Sequence, residues 1–320
     1  MISTETLPVM LRKYLEWMRI RGYSEETVKG KRTTLRFFFD WCEERGVTYP
    51  SEVTRKVLER YQSYLYHYRK KEDGKPLCFH TQHNRLINIK TYFSWLSKNN
   101  HVLYNPAADL ELPKLGQRLP RNVLTEKEVE IVINQVNLSD PMGLRDRAIL
   151  ELLYATGIRR REVSNLKEQD VIRDRGVVVI CCGKGKKDRV VPIGERALAW
   201  VDKYLNKQRP DLVTDDDEDA LFLTRYGKKL RPQHVSRIVS QYIQASGIRK
   251  EGSCHLFRHT MATLMLEKGA DIRFIQEILG HSNLETTQVY TKVSILKLKE
   301  IYKKTHPGAF LKKDRPSEAK

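Results

Sequence analysis

Apolar residues in the first third of the chain recur three or four positions apart, the spacing of one helix face. Val9, Leu11, Tyr14, Leu15 and Met18 make one stripe, ended by Gly22. Leu35, Phe38, Phe39 and Trp41 mark a second helix from Thr27 to Glu44, closed by Gly46. Two more helices are expected, from Val53 to Lys70 and from Thr81 to Asn99. The turn-forming Glu72-Asp73-Gly74-Lys75-Pro76 separates them. Four amphipathic helices with short connections predict a small bundle. Each keeps a polar face, with Lys29, Lys31, Arg32 and Arg36 on the second helix and His83, Asn84, Asn88 and Lys90 on the fourth.

Asn105-Pro106, Pro113 and Pro120 then break the helical pattern. Pro113 to Asn122 holds Lys114, Arg118 and Arg121 without an apolar period and reads as an extended basic linker. Thr125-Glu126-Lys127-Glu128 is a capping box that opens a helix over Val129, Ile131, Val132 and Val136. An apolar helix from Leu144 to Ala155 stops at Thr156-Gly157. The period then changes. Val177 to Cys182 and Arg189 to Ile193 are β-branched runs joined by Gly183-Lys184-Gly185-Lys186-Lys187-Asp188, which predicts a hairpin.

Beyond it come a helix from Glu195 to Gln208, an acidic loop from Asp215 to Asp219, a short strand over Leu221-Phe222-Leu223 and a helix from Pro232 to Ala245. Another helix carries Met261, Leu264 and Met265, and a last one Ile295, Leu296, Leu298, Ile301 and Tyr302. The expected fold is mainly α: an N-terminal helical bundle, then a mainly helical domain with a small antiparallel β-sheet. Its divisions are expected at 1–112, 113–122 (linker), 123–305 and 306–320 (tail).

A length of 320 residues suits two such domains. Lys and Arg total 58 against 40 Asp and Glu, giving a formal charge of +18 and a pI of about 9.6. An excess of that size favours a polyanionic partner, because each neutralised phosphate releases counterions. Cysteines 42, 78, 181, 182 and 254 are odd in number and form no C-x-x-C. They read as small apolar residues in a reducing compartment. No signal pattern opens the chain and no apolar run reaches membrane-spanning length, so a cytoplasmic protein without a membrane partner is expected.

The densest chemistry lies between Cys254 and Thr291. His255 and Arg258 share a helix face at i and i+3. Gly280-His281 closes the next helix, and Tyr290 follows in a short segment of its own. An arginine and two imidazoles suit an anionic phosphodiester, and a tyrosine phenol can attack it. His255 and His259 also have the spacing of a helical metal pair, with Cys254 and His281 in reach as further ligands. The zinc-protease form needs Glu after the first His, where this chain has Leu256. The glycine-lysine turn at 183–188 lacks G-x-x-x-x-G-K-[ST] and leads into a strand, so no nucleotide-binding loop is indicated.

His255-x-x-Arg258, then Leu279-Gly280-His281, then a tyrosine at the ninth position after that histidine resemble the tyrosine recombinase (phage integrase) family. Thr156-Gly157-Ile158-Arg159 through Leu166 is similar to that family's T-G-[LMI]-R-x-x-E-[LV]-x-x-L, and Gly183 to Arg189 to its G-K-G-x-K-x-R. The resemblance spans the second half of the chain, and the remaining length fits a minimal Xer-like layout of two domains.

The resemblance implies site-specific DNA recombination through a 3′-phosphotyrosyl intermediate, with Tyr290 as nucleophile. Arg159, Arg258 and His281 would surround the phosphate. Lys184 would be the acid, and His255 a base or orienting group. Glu162 would support Arg159. The first domain would be a SAM-like core-binding domain, with Lys29, Arg32, Arg36 and Lys90 on phosphates and Thr81, Gln82 and Asn84 near bases. Arg118 and Arg121 of the linker and Lys186 and Lys187 of the hairpin turn would add backbone contacts.

The partners implied are double-stranded DNA with specific recombination sites and further protomers, a tetramer of this chain or of it with a paralogous recombinase. Neither a metal nor a cofactor is implied. The tail helix would dock on its own domain or, as family members use it, on a neighbouring protomer. Two rivals stand beside this reading. A type IB topoisomerase-like enzyme would relax supercoils without a partner site, and a non-catalytic DNA-binding protein would lack part of the catalytic set.

Overall fold

The structure is a computed structural model that describes residues 4–115, 123–181, 188–214, 219–280 and 295–309. The chain divides into two compact units, Met1–Arg118 and Leu119–Lys320.

The first unit is the expected bundle of α1 (Leu7–Ile20), α2 (Glu25–Glu43), α3 (Arg55–His67) and α4 (Phe79–Lys98). Local signals set the ends. Ser24 Oγ accepts the Thr27 N–H at the start of α2, and Thr54 Oγ1 accepts the Val57 N–H at the start of α3. An antiparallel bridge between Arg69 and Pro76 closes the loop before α4. The core is aromatic. Phe38 meets Tyr61 edge to face at 4.7 Å, and Tyr14 meets Tyr92 at 5.4 Å. After α4 the chain folds back to bury Val102, Ala107 and Leu110. Lys90 fastens this return by donating to the carbonyls of Ala108 and Leu110, both at 2.9 Å.

The second unit holds α5 (Glu126–Ile133), α6 (Gly143–Thr156), α7 (Arg160–Asn165), β1 (Val171–Ile172), β2 (Val177–Ile180), β3 (Arg189–Pro192), α8 (Glu195–Lys207), α9 (Pro232–Ala245), α10 (Cys254–Glu267), α11 (Ile272–Leu279) and α12 (Ile295–Thr305). The sheet is antiparallel in the order β1-β2-β3, with Ile180 opposite Arg189 and Val177 opposite Pro192. The capping box at α5 forms as expected, Thr125 Oγ1 accepting from Glu128 N and Glu128 Oε2 from Thr125 N.

Helix α6 runs through the middle of the unit and is buried on all sides. Its charges survive there because each is paired, as burial demands. Arg145 holds Asp146 at 2.7 Å, and Glu151 lies between Arg147 at 2.9 Å and Arg196 of α8 at 2.8 Å.

Two expectations differ from the structure. Leu221-Phe222-Leu223 is no strand: the segment is held by isolated bridges from Ala220 to Lys167 and from Leu223 to Lys229, and its apolar run comes from burial in the core. The packed body also continues past Thr305. His306 is fully buried, and Pro307–Ala309 form a short 3-10 turn. Tyr302 Oη donates to Ala155 O, which seats α12 on the unit that carries it.

Candidate active site

Helix α6 ends on Gly157 in the left-handed conformation (φ 59°), and the chain leaves through buried Ile158 into Arg159, the N-cap of α7. Glu162 then falls at the third position of α7. Its Oε2 accepts the Arg159 backbone N–H at 2.8 Å, and its Oε1 accepts Arg159 Nη1 at 2.8 Å. The same carboxylate therefore caps the helix and grips the side chain at its start.

Arg258 enters from α10 and is 5% exposed. Its Nη1 donates to Gly157 O and its Nη2 to Leu279 O, both at 2.7 Å. Arg159 Nη2 donates to Gly280 O at 2.9 Å. A third arginine completes the pattern: Arg189, the first residue of β3, donates Nε to Ile278 O at 2.9 Å. Three consecutive carbonyls at the C-terminal end of α11 thus each take one arginine. Those carbonyls lack intrahelical partners and sit at the negative end of the helix dipole, so the arginines fill them at no cost to the helix ladder.

Arg189 also forks onto Glu162, Nη1 to Oε1 at 2.9 Å and Nη2 to Oε2 at 2.7 Å. Burial pushes the Glu162 carboxyl up. The bonds and charge of Arg189 and the two bonds from Arg159 outweigh it and hold the group at about 2. Burial, and then the charge of Arg159, bring the Arg258 guanidinium down to about 9, still charged at neutral pH. His255, one turn before Arg258, is lowered by partial burial and then by the charges of His259, Arg258, Arg160 and Arg159. Its ring is therefore neutral at pH 7, in the form that accepts a proton.

Of the residues expected from sequence, Arg159, Glu162 and Arg258 come together here, and His255 shares the helix of Arg258. Lys184, Lys186, Lys187, His281, Tyr290, Arg118 and Arg121 lie outside the described residues. Arg189 was missed, although it is the final arginine of the G-K-G-x-K-x-R run. That position was the signal available.

In the first unit Lys29, Arg32, Arg36 and Asn84 are exposed. Two candidates there need correcting. Gln82 is 4% exposed, and its Nε2 donates to Leu77 O at 2.8 Å, so its amide is committed to the fold and does not reach a base. Lys90 spends its ammonium on two carbonyls of the returning chain and is not free for a phosphate. Thr81 is half-buried with its hydroxyl 3.1 Å from Cys78 Sγ.

A helical bundle followed by a helical unit that gathers arginines over one buried carboxylate defines a class. The chain belongs to the phage integrase family, which matches residues 122–296, and the phage integrase SAM-like domain matches residues 6–110. It is 49% identical over 304 residues to tyrosine recombinase XerC 2 of Ralstonia nicotianae, covering 95% of this chain and 87% of that one. Its fold is similar to the XerH site-specific recombinase bound to a palindromic difH substrate in a post-cleavage complex. There the TM-score is 0.67 at 23% identity, with 92% and 83% of the two chains covered. A lambda integrase tetramer bound to a Holliday junction aligns with a TM-score of 0.65 at 19% identity, covering 90% and 81%. The activity is site-specific tyrosine recombination, the breaking and rejoining of DNA.

Proposed function

We propose that Tyr290 attacks a DNA phosphate while Arg159, Arg258 and His281 hold its non-bridging oxygens. The convergence of Arg159 and Arg258 at the end of α11, beside a carboxylate that stays charged, carries this reading. The phenolate–phosphorus bond forms as the bond to the 5′-oxygen breaks. The phenol proton passes to neutral His255, and Lys184 protonates the leaving 5′-oxygen. Fixed guanidinium groups stabilise the charge that shifts to the equatorial oxygens. The phosphotyrosyl link stores the bond energy, so a 5′-hydroxyl from the partner site can reverse the step without ATP.

Residues 1–112 act in this reading as the DNA-binding domain, 113–122 as linker and 123–309, carried past Thr305 by the buried His306, as catalytic domain, with the tail after it. Lys29, Arg32 and Arg36 of α2 contact phosphates, joined by Arg118, Arg121, Lys186 and Lys187, with Asn84 and Thr81 near bases. Four protomers assemble on paired recombination sites, in the cytoplasm where the chromosome or a mobile element offers them.

The test is covalent trapping. Cells producing the protein are lysed in denaturant, and the DNA attached to the chain is sequenced. Wild type should carry DNA ending at one defined site. Tyr290→Phe should bind that site and carry none. A Phe variant that still forms the adduct would move the nucleophile elsewhere, and relaxation of supercoiled DNA lacking any site would favour a topoisomerase.

A further inference from the structure

We propose that Arg189 is a positioning residue for recombination, acting through Glu162 to keep Arg159 aimed and its charge available to an anion. The proposal rests on the reading of Arg159 as a phosphate ligand. Glu162 accepts four hydrogen bonds, two from Arg159 and two from Arg189, which fills the acceptor capacity of its two oxygens. Arg189 is turned onto Glu162. Its side chain is 10% exposed, and Nε, Nη1 and Nη2 each donate once, to Ile278 O and the two Glu162 oxygens.

Its part is to divide the carboxylate's charge. With Arg189 in place, Glu162 is balanced by two guanidinium groups, and Arg159 retains net positive charge for an anion. Without it, a carboxylate that is 7% exposed faces Arg159 as its one strong donor. Glu162 then either closes on Arg159 and quenches it, or takes up a proton as burial raises its pKa. Arg189 also joins two elements. It opens β3 opposite Ile180, at the open end of the β2–β3 pair, so the fork onto Glu162 ties that end to the start of α7. One side chain sets the carboxylate, the first arginine and that end of the strand pair together. Misplacement of a reacting group by about 1 Å can cost about 10²-fold in rate.

The experiment measures single-turnover cleavage by the full-length protein on saturating DNA carrying the trapped site. Wild type is compared with Arg189→Gln, Arg189→Lys, Glu162→Gln and the double variant Glu162→Gln/Arg189→Gln. Arg189→Gln should slow cleavage about 10²-fold with DNA affinity little changed. The acid limb of its pH–rate profile should shift upward, because Glu162 is no longer held near 2. Arg189→Lys should recover part of the rate by restoring charge without the fork. The double variant should be no slower than Glu162→Gln alone, the mark of one residue acting through the other.

Should Arg189→Gln fail to fold, the double variant carries the comparison, since it removes both members of the Arg189–Glu162 pair and leaves neither facing a missing partner. Wild-type cleavage in Arg189→Gln, or a further drop in the double variant, would overturn the proposal alone. Absence of any adduct in wild type would overturn the covalent reading and the proposal with it.

Discussion

Gly280 lies directly against the side chain of Arg189. A Cβ at Gly280 would come within 3.0 Å of Arg189 Cδ and 3.1 Å of its Cζ and Nε. Gly280 also has φ +61°, a conformation that glycine alone adopts without penalty. The two facts concern different atoms and point the same way. The turn that ends α11 and leads to His281 is shaped by the arginine packed on it.

Gly280→Ala should therefore do more than lose a helix cap. The backbone strain alone costs roughly 1–2 kcal/mol, and the added methyl must also push the Arg189 side chain, which holds Glu162, aside by a few tenths of an ångström. Thermal unfolding should show the first effect and the cleavage rate a larger one. A variant that loses stability but cleaves like wild type would show that the Arg189–Glu162 fork tolerates the shift.

His306 gives the second unit a dependence on pH. Its Nε2 donates to Tyr154 O at 3.1 Å, its Nδ1 accepts from Gly308 N at 2.9 Å, and Tyr302 stacks on the ring at 4.4 Å. A ring that accepts at Nδ1 is neutral, and complete burial lowers its pKa to about 3. The unfolded value is about 6.5. Between those values the unfolded state binds the extra proton, so stability falls as pH is lowered from 6.5 towards 3. The loss should reach about 2 kcal/mol by pH 5. His306→Gln removes the titration, so denaturant unfolding of the variant should lose less stability than wild type between pH 7 and 5. Parallel losses would assign the dependence to other groups.

The same logic separates fold from contact in the first unit. Arg32 and Arg36 are exposed on α2, whereas Gln82 is spent on Leu77 O. Arg32→Ala and Arg36→Ala should each weaken site binding and reduce the salt slope by about 1, with little loss of stability. Gln82→Ala should leave the slope alone and destabilise the bundle by roughly 1–3 kcal/mol, the cost of a buried carbonyl without a partner. A changed slope for Gln82→Ala would return that residue to the DNA.

The sequence carried the helices, the hairpin and the site motifs because each is a local signal. Apolar spacing marks α1 to α4, Thr125 and Glu128 announce a cap three residues apart, and Arg159 and Glu162 belong to one turn. What it hid depends on partners distant in sequence. Arg189 meets Glu162 at a separation of 27 and Ile278 at 89. In a lysine-rich turn, nothing local distinguishes it from a surface base. Lys90 looked like a phosphate contact because its carbonyl partners lie 18 and 20 positions on, in a segment with no period of its own. Leu221 to Leu223 looked like a strand because core burial and strand formation call for the same apolar residues.

Lys184 and Arg258 are assigned different tasks, and a loss of activity alone does not separate them. A 5′-alkoxide is a poor leaving group and needs a proton as its bond to phosphorus breaks, help that typically contributes ~10²–10⁴-fold. Replacing the bridging 5′-oxygen by sulfur gives a thiolate, which leaves without that proton. Lys184→Ala should therefore be slow on ordinary DNA and largely restored on the sulfur substrate. In the proposed mechanism Arg258 acts on the non-bridging oxygens, whose charge is present with either leaving group, and its loss also frees the carbonyls of Gly157 and Leu279. Arg258→Ala should stay slow on both substrates. If sulfur restores Lys184→Ala no better than Arg258→Ala, the proton comes from elsewhere, and Lys186 and Lys187 in the same turn are the next to exchange.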